Sequence, residues 1–117
     1  MARVLVVDDS GLMRTQISVM LEELGHEVVA QAKNGLEGYE LYKEHLPNIV
    51  TMDINMPELD GLGAVKKIIT DFPDAIILMI SAHEDRTLTY EAIGHGAKDF
   101  LTKPIELEKL KIKLLRL

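Results

Sequence analysis

Short runs of apolar residues alternate along the chain with longer segments whose apolar residues recur every three or four positions. Most of the short runs are apolar on both faces and predict strands of a parallel sheet, while the longer segments predict amphipathic helices that cover the sheet. The predicted strands are residues 3–7, 27–32, 48–53, 75–80 and 98–102.

Turn residues bound the five predicted helices. Gly25 ends the first helix, Asn34-Gly35 leads into the second, and Pro47 and Pro73 close the second and third. The fifth helix has leucines on one face and runs on to Leu117. The fourth, over residues 85–93, has the weakest apolar stripe and is expected to be the least firmly held; the stripe consists of Leu88, Ala92 and Ile93.

Alternating strands and helices joined by short turns form right-handed βαβ units. We therefore expect an α/β fold with a doubly wound, open five-stranded parallel sheet in the flavodoxin-like order 2-1-3-4-5, covered by five helices. This order places the carboxyl ends of strands 1 and 3 side by side. Five polar residues should then meet at one edge of the sheet, namely Asp8, Asp9, Asp53, Ser81 and Lys103.

Composition narrows the class of protein. A chain of 117 residues is expected to form one domain over residues 1–117 with an adequate core. The absence of cysteine excludes disulfides and thiol chemistry and suits a reducing cytoplasm. No apolar run is long enough for a membrane span. The formal net charge of -6 argues against direct nucleic-acid binding, which needs clustered cations.

Three carboxylates in one pocket repel one another unless a cation neutralises them, and an all-oxygen ligand set points to Mg²⁺. Zinc is disfavoured because the four histidines show no ligand spacing. An ionised Asp53 opposite a lysine and a hydroxyl could accept a phosphoryl group. Each residue alone has an ordinary reading: Asp8, Asp9 and Ser81 could cap helices, and Lys103-Pro104 could be a turn. The complete set at four strand ends is not explained in that way.

The chain resembles the receiver domain of two-component response regulators, including the stand-alone receivers of chemotaxis. The matching motifs are Asp8-Asp9, Asp53 within Met-Asp-Ile-Asn-Met-Pro, Gly61, Ser81-Ala82, the run from Gly96 to Phe100, and Lys103-Pro104. The resemblance implies that Asp53 accepts a phosphoryl group from a sensor histidine kinase. It also implies that Asp9, Asp53 and the backbone carbonyl of Asn55 ligate Mg²⁺, that Asp8 assists through water, and that Lys103 pairs with the phosphoryl group.

The same resemblance implies a conformational switch. Ser81 is expected to move toward the phosphoryl group while Phe100 turns inward, which changes the face formed by the fourth helix, fifth strand and fifth helix. That face would contact the downstream target or effector domain. Small Ala82 should leave the site open to water, Asn55 and His83 should tune dephosphorylation, and the peptide bond before Pro104 should be cis.

Two other functions stay open. A haloacid-dehalogenase-type phosphatase shares the nucleophile and metal, but it would need an Asp-x-Asp motif after the first strand and a cap, whereas this chain has Asp8-Asp9. A pseudo-receiver would act only as an interaction or dimerisation module, although Asp9, Asp53 and Lys103 are intact. We expect a switch rather than a turnover enzyme. The kinase, the output, a phosphorylation-dependent dimer and an effector domain beyond Leu117 are not decided by the sequence.

Overall fold

The computed structural model describes residues 1–117 and contains five strands and five helices. The strands are β1 (Arg3–Val7), β2 (Glu27–Ala32), β3 (Ile49–Asp53), β4 (Ile77–Ser81) and β5 (Asp99–Thr102). The helices are α1 (Gly11–Glu23), α2 (Gly35–His45), α3 (Gly61–Asp71), α4 (Arg86–Gly94) and α5 (Leu107–Leu115). All strand pairs are parallel, in the order β2-β1-β3-β4-β5, which confirms the predicted flavodoxin-like topology.

Two apolar layers cover the sheet. Leu5 and Val7 of β1 face a cluster of 17 buried residues under α2, α3 and α4. Val4 and Val6 face a cluster of 10 buried residues under α1 and α5. Because both faces are covered, β1, β3 and β4 are buried at successive positions rather than at alternate ones. None of the helices combines the length and apolar character that crossing a bilayer requires.

Side-chain caps fix where three of the helices begin. Each capping oxygen accepts a hydrogen bond from a backbone amide in the first turn, which would otherwise lack a partner. The pairs are Ser10 Oγ with Met13 N at 3.2 Å, Asn34 Oδ1 with Glu37 N at 2.8 Å, and Asp60 Oδ1 with Gly63 N at 2.8 Å. Ser10 therefore caps α1, which leaves Asp8 and Asp9 free of that role.

Several predicted boundaries were wrong by one or two residues. The β4 ladder starts at Ile77 rather than at residue 75, because the amide of Ala75 still bonds to Phe72 O in the turn after α3. Helix α5 ends at Leu115, not at Leu117.

The predicted start of the fourth helix and its apolar stripe also need correction. A 3₁₀ turn at His83–Asp85 precedes α4, with Asp85 N bonded to Ala82 O, so the α-helix starts at Arg86. Leu88 lies on the exposed side of α4, and the buried residues of this helix are Thr89 and Ala92.

Candidate functional site

The carboxyl ends of the strands form an acidic pocket. Val7 is in register with Met52, so Asp8, which follows β1, lies beside Asp53, the last residue of β3. One carboxylate oxygen from each of Asp8, Asp9 and Asp53 lies within 4.8 Å of the others. Asp8 and Asp53 are buried, whereas Asp9 is exposed. The site is therefore an oxygen-rich cluster that is open on one side.

Three hydrogen bonds hold Asp8 in place. Its amide donates to Ala32 O at 3.0 Å, its Oδ1 accepts from Ser10 N at 2.9 Å, and its backbone carbonyl accepts from Arg14 Nη1 at 2.8 Å. Its second carboxylate oxygen, Oδ2, is buried and accepts no hydrogen bond. A buried carboxylate oxygen without a donor calls for a cation, and the nearest one is a lysine.

That lysine is Lys103, which reaches the pocket from the end of β5. Its Nζ lies 3.2 Å from Asp53 Oδ1 and 3.4 Å from Asp8 Oδ2. The backbone positions it, since Lys103 N donates to Ser81 O at 2.8 Å. The peptide bond between Lys103 and Pro104 is cis. One ammonium group thus faces two buried carboxylates and cannot balance both charges.

The charge imbalance is reflected in the titration of Asp53. Burial, and next the repulsion from Asp8, raise the pKa of Asp53 to about 6, although Lys103 opposes the shift. Burial would lower the pKa of Lys103, but the carboxylates of Asp53 and Asp8 outweigh it and raise that pKa. Lys103 is therefore a fixed cation, and a second cation in the pocket would favour the ionised form of Asp53.

The loop after β3 is packed tightly against the end of the strand. Gly61 N donates to Ile54 O at 2.9 Å, and a Cβ at Gly61 would lie 2.1 Å from Asp53 O. Only glycine allows this approach. Asn55 lies in the same loop, exposed, and its backbone carbonyl accepts no hydrogen bond. A backbone oxygen without a hydrogen-bond partner therefore lies two residues after Asp53 in the chain.

Ser81 and Ala82 lie at the carboxyl end of β4, the strand next to β3. Ser81 is the last residue of β4, and β4 pairs with β3, which ends at Asp53. Ser81 is 2% exposed. Its hydroxyl makes no hydrogen bond, so it is free to rotate toward a new acceptor. Ala82 is half-buried and precedes the 3₁₀ turn.

Two predicted residues make contacts outside the carboxylate cluster. His83 is exposed, and its Nδ1 lies 3.0 Å from Arg86 Nη2. Phe100 is half-buried on β5, with the Tyr90 ring at 5.9 Å in an edge-on arrangement and Lys113 Nζ 5.4 Å from its centroid. Phe100 therefore belongs to the surface made by α4, β5 and α5.

Sequence reasoning missed three contacts: the bond from Arg14 to Asp8, and the packing of Tyr90 and Lys113 on Phe100. Periodicity places these side chains on helices but does not give their partners. The one available signal is the charge of Arg14, because a cation in the first turn of a helix is disfavoured by the helix dipole and therefore needs a reason.

Residues 4–115 match the family model of the response regulator receiver domain, so the chain belongs to this family. It is 46% identical to the chemotaxis protein CheY of Bacillus subtilis (strain 168) over 108 residues, which are 92% of this chain and 90% of that protein.

Solved structures agree with this assignment. The chain is similar to one in the CheX-CheY-BeF3-Mg+2 complex from Borrelia burgdorferi, with a TM-score of 0.90, 31% identity and coverage of 98% of this chain and 89% of that one. The response regulator domain of Thermotoga maritima CheB gives a TM-score of 0.84 at 38% identity, covering 97% and 90%. The protein is thus a CheY-like receiver domain of two-component signalling, as its motifs indicated.

Proposed function

We propose that this protein is a phosphoacceptor switch in which Asp53 takes a phosphoryl group from a sensor histidine kinase. The observation that carries the proposal is the placement of Asp53. Its carboxylate is buried at the end of β3, faces Asp8, and lies 3.2 Å from the ammonium of Lys103. A carboxylate nucleophile with fixed cationic and acidic neighbours suits phosphoryl transfer, where positioning and charge neutralisation supply most of the catalysis.

Mg²⁺ is the cofactor in this proposal. Asp9, Asp53 and the backbone carbonyl of Asn55 would hold it, with Asp8 assisting through water. The buried, unbonded Asp8 Oδ2, the free Asn55 carbonyl and the all-oxygen donor set fit a hard divalent cation. When bound, the ion neutralises charge on the carboxylates and on the transferred phosphoryl oxygens.

The transfer forms one bond and breaks one. An oxygen of the Asp53 carboxylate attacks phosphorus, the bond between phosphorus and the donor's imidazole nitrogen breaks, and the imidazole leaves with a proton from solvent. Lys103 then pairs with a phosphoryl oxygen in place of Asp53 Oδ1. Dephosphorylation is a separate hydrolysis: water attacks phosphorus, the bond between phosphorus and the Asp53 carboxylate oxygen breaks, and phosphate leaves while Asp53 becomes a free carboxylate again. Ala82 leaves room for that water, and Asn55 and His83 tune its approach.

The signal would leave through the surface of α4, β5 and α5. Ser81 has a free hydroxyl that can donate to a phosphoryl oxygen and draw the loop after β4 with it. Phe100 would turn inward and give up its contacts with Tyr90 and Lys113. The resulting surface would recruit a downstream target, an effector domain or a second copy of the chain. Helix α4 suits such a change because Ala92 is its only buried apolar residue.

The remaining parts of the proposal concern the protein as a whole. Residues 1–117 would act as one cytoplasmic receiver domain, binding neither nucleic acid nor membrane, and the bound phosphoryl group would turn over once per signal. In the pseudo-receiver alternative the same fold would serve only as an interaction surface, and in the phosphatase alternative Asp53 would be phosphorylated and hydrolysed continuously.

Intact mass spectrometry separates these functions. The protein is incubated with acetyl phosphate and Mg²⁺, in parallel with EDTA and with the variants Asp53→Asn and Asp60→Asn. Asp60 is a matched acid outside the pocket, and an amide there can still cap α3. A gain of one phosphoryl group in wild type and Asp60→Asn, lost with EDTA and in Asp53→Asn, supports the switch. No gain favours the pseudo-receiver, and sustained release of phosphate favours the phosphatase.

A further inference from the structure

Arg14 is a basic side chain that contacts the backbone of Asp8. It is half-buried in the first turn of α1, and its Nη1 donates to the backbone carbonyl of Asp8 at 2.8 Å. Its Nη2 lies over the helix start, 3.5 Å from where a Cβ of Gly11 would be. Arg14 forms no ion pair. Because a cation in a first turn opposes the helix dipole, the carbonyl contact is what the structure gains from this side chain.

The carbonyl that Arg14 holds belongs to the peptide unit joining Asp8 to Asp9. This unit is planar, so fixing its oxygen also fixes the direction in which the chain leaves toward the Cα of Asp9. Asp9 is exposed, and its carboxylate takes part in no hydrogen bond or ion pair of its own. The direction of the Asp9 carboxylate therefore depends on the backbone, and one side chain anchors that backbone from the helix side.

Asp8 is held from the opposite side by the sheet. Its amide bonds to Ala32 O, and its Oδ1 is bonded to Ser10 N. With these contacts and the Arg14 bond in place, Oδ2 is the one group of Asp8 left to face the pocket. Arg14 completes this set at the backbone carbonyl, the one backbone polar atom of Asp8 that the sheet does not bind.

We propose that Arg14 is a positioning residue for the divalent cation: by holding the Asp8-Asp9 peptide, it keeps both carboxylates directed toward Asp53. This inference rests on the proposed Mg²⁺ site and adds to it a residue that does not touch the ion. The direction in which the affinity for the cation changes makes this inference testable. If Arg14 acted only through its charge, removing it would make the pocket more negative and strengthen cation binding, whereas loss of a positioning contact weakens binding.

The experiment is Mg²⁺ titration by isothermal titration calorimetry of wild type, Arg14→Met and Arg14→Lys. Removal of a contact that orients metal ligands typically lowers affinity by about 10 to 100-fold, so we expect the Kd for Mg²⁺ to rise about tenfold in Arg14→Met. Lysine can still donate one hydrogen bond, so Arg14→Lys should recover part of the loss. An equal or lower Kd in Arg14→Met overturns the inference.

Lys33→Met is the matched control. Lys33 follows β2 at the same edge of the sheet, is exposed, and its ammonium takes part in no ion pair. Its loss removes one charge but no contact, so the Kd should be unchanged or lower. If Lys33→Met weakens binding as much as Arg14→Met, the effect is not one of positioning and the inference is wrong.

Two further measurements separate this inference from simpler causes. Amide NMR spectra without Mg²⁺ must show that Arg14→Met is folded. If it is not, wild type is compared with Arg14→Lys instead. A higher Kd for Mg²⁺ in Arg14→Lys is then expected, and an unchanged Kd contradicts the inference. At saturating Mg²⁺, the rate at which acetyl phosphate labels Arg14→Met should return to the wild-type rate. If wild type binds no Mg²⁺, the proposed metal site is wrong. If wild type and Arg14→Met bind Mg²⁺ with the same Kd, only the role of Arg14 is wrong.

Discussion

Lys103 Nζ lies 3.2 Å from Asp53 Oδ1, although the two residues are 50 positions apart in the chain. The parallel sheet produces this contact, because β3, β4 and β5 are neighbours and end at the same edge. The lysine also reaches Asp8 Oδ2 at 3.4 Å, so it serves two buried carboxylates. The pocket therefore keeps a negative charge, and burial together with the repulsion from Asp8 raises the pKa of Asp53.

Replacing Lys103 by methionine should raise the pKa of Asp53 above its value of about 6. The reason is that the lysine is the group that lowers this pKa, while burial and Asp8 raise it. The pKa can be followed through the carboxyl ¹³C shift of Asp53 in a pH titration without Mg²⁺. Lys109→Met is the control, because Lys109 is an exposed lysine of α5 that pairs with Glu106. An unchanged or lowered pKa in Lys103→Met would mean that the contact has no electrostatic effect.

Asp53→Asn should make the protein more stable at pH 7 in the absence of Mg²⁺. The pKa of Asp53 is raised from 3.8 to about 6 on folding, so the folded state holds the proton more tightly than the unfolded state. This contribution to stability is complete below pH 3.8 and is lost as the pH rises through about 6. At pH 7 the ionised carboxylate is a cost that the amide does not have.

We expect Asp53→Asn to raise the free energy of unfolding at pH 7 by about 1 kcal/mol, a value reduced for solvent screening. The gain should shrink as the pH falls below 6. Urea unfolding with EDTA at several pH values measures it, with Asp60→Asn expected to stay within about 0.5 kcal/mol of wild type. Added Mg²⁺ should stabilise wild type and not Asp53→Asn. A loss of stability at pH 7 in Asp53→Asn would show that the ionised carboxylate does not destabilise the folded state.

Gly61→Ala should disturb the end of β3 and slow phosphorylation. The new Cβ would lie 2.1 Å from Asp53 O and 2.7 Å from Ile54 Cα, so the strand end or the loop must move. Overpacking of this kind costs about 2 kcal/mol of unfolding free energy. Thermal or urea unfolding and the rate of labelling by acetyl phosphate would measure the two effects.

Gly94→Ala is the matched substitution for that test. Nothing lies within 4 Å of a Cβ at Gly94, which is the last residue of α4, so alanine should be neutral or stabilise by about 0.5 kcal/mol. If both glycine variants behaved alike, the close packing of Gly61 against Asp53 would not control the geometry of the site.

The pattern of the sequence was sufficient for the sheet order and for the grouping of Asp8, Asp9 and Asp53. Apolar runs ending in acids report strand ends directly, and the topology of parallel strands then leaves few arrangements. Helix starts were less predictable. The 3₁₀ turn at His83–Asp85 depends on one bond between Asp85 N and Ala82 O, which no periodicity records.

Contacts made by long side chains were outside the reach of the pattern. Arg14 could have pointed to solvent, and only its rotamer brings the guanidinium to Asp8 O. The same holds for Lys113, which bonds to Asp99 Oδ1 at 2.9 Å and lies over Phe100. Spacing places such residues on a helix, but side chains of this length have many rotamers, and the partner is chosen by the folded surroundings.

The central claim is that the phosphoryl group goes to Asp53, and site-resolved trapping tests it most directly. The protein is incubated briefly with acetyl phosphate and Mg²⁺ and then reduced with borohydride, which converts an aspartyl phosphate to homoserine that tandem mass spectrometry can locate. We predict homoserine at position 53 alone, and none when Mg²⁺ is replaced by EDTA. Homoserine at Asp8 or Asp9, or at no position in protein that binds Mg²⁺, would contradict the claim.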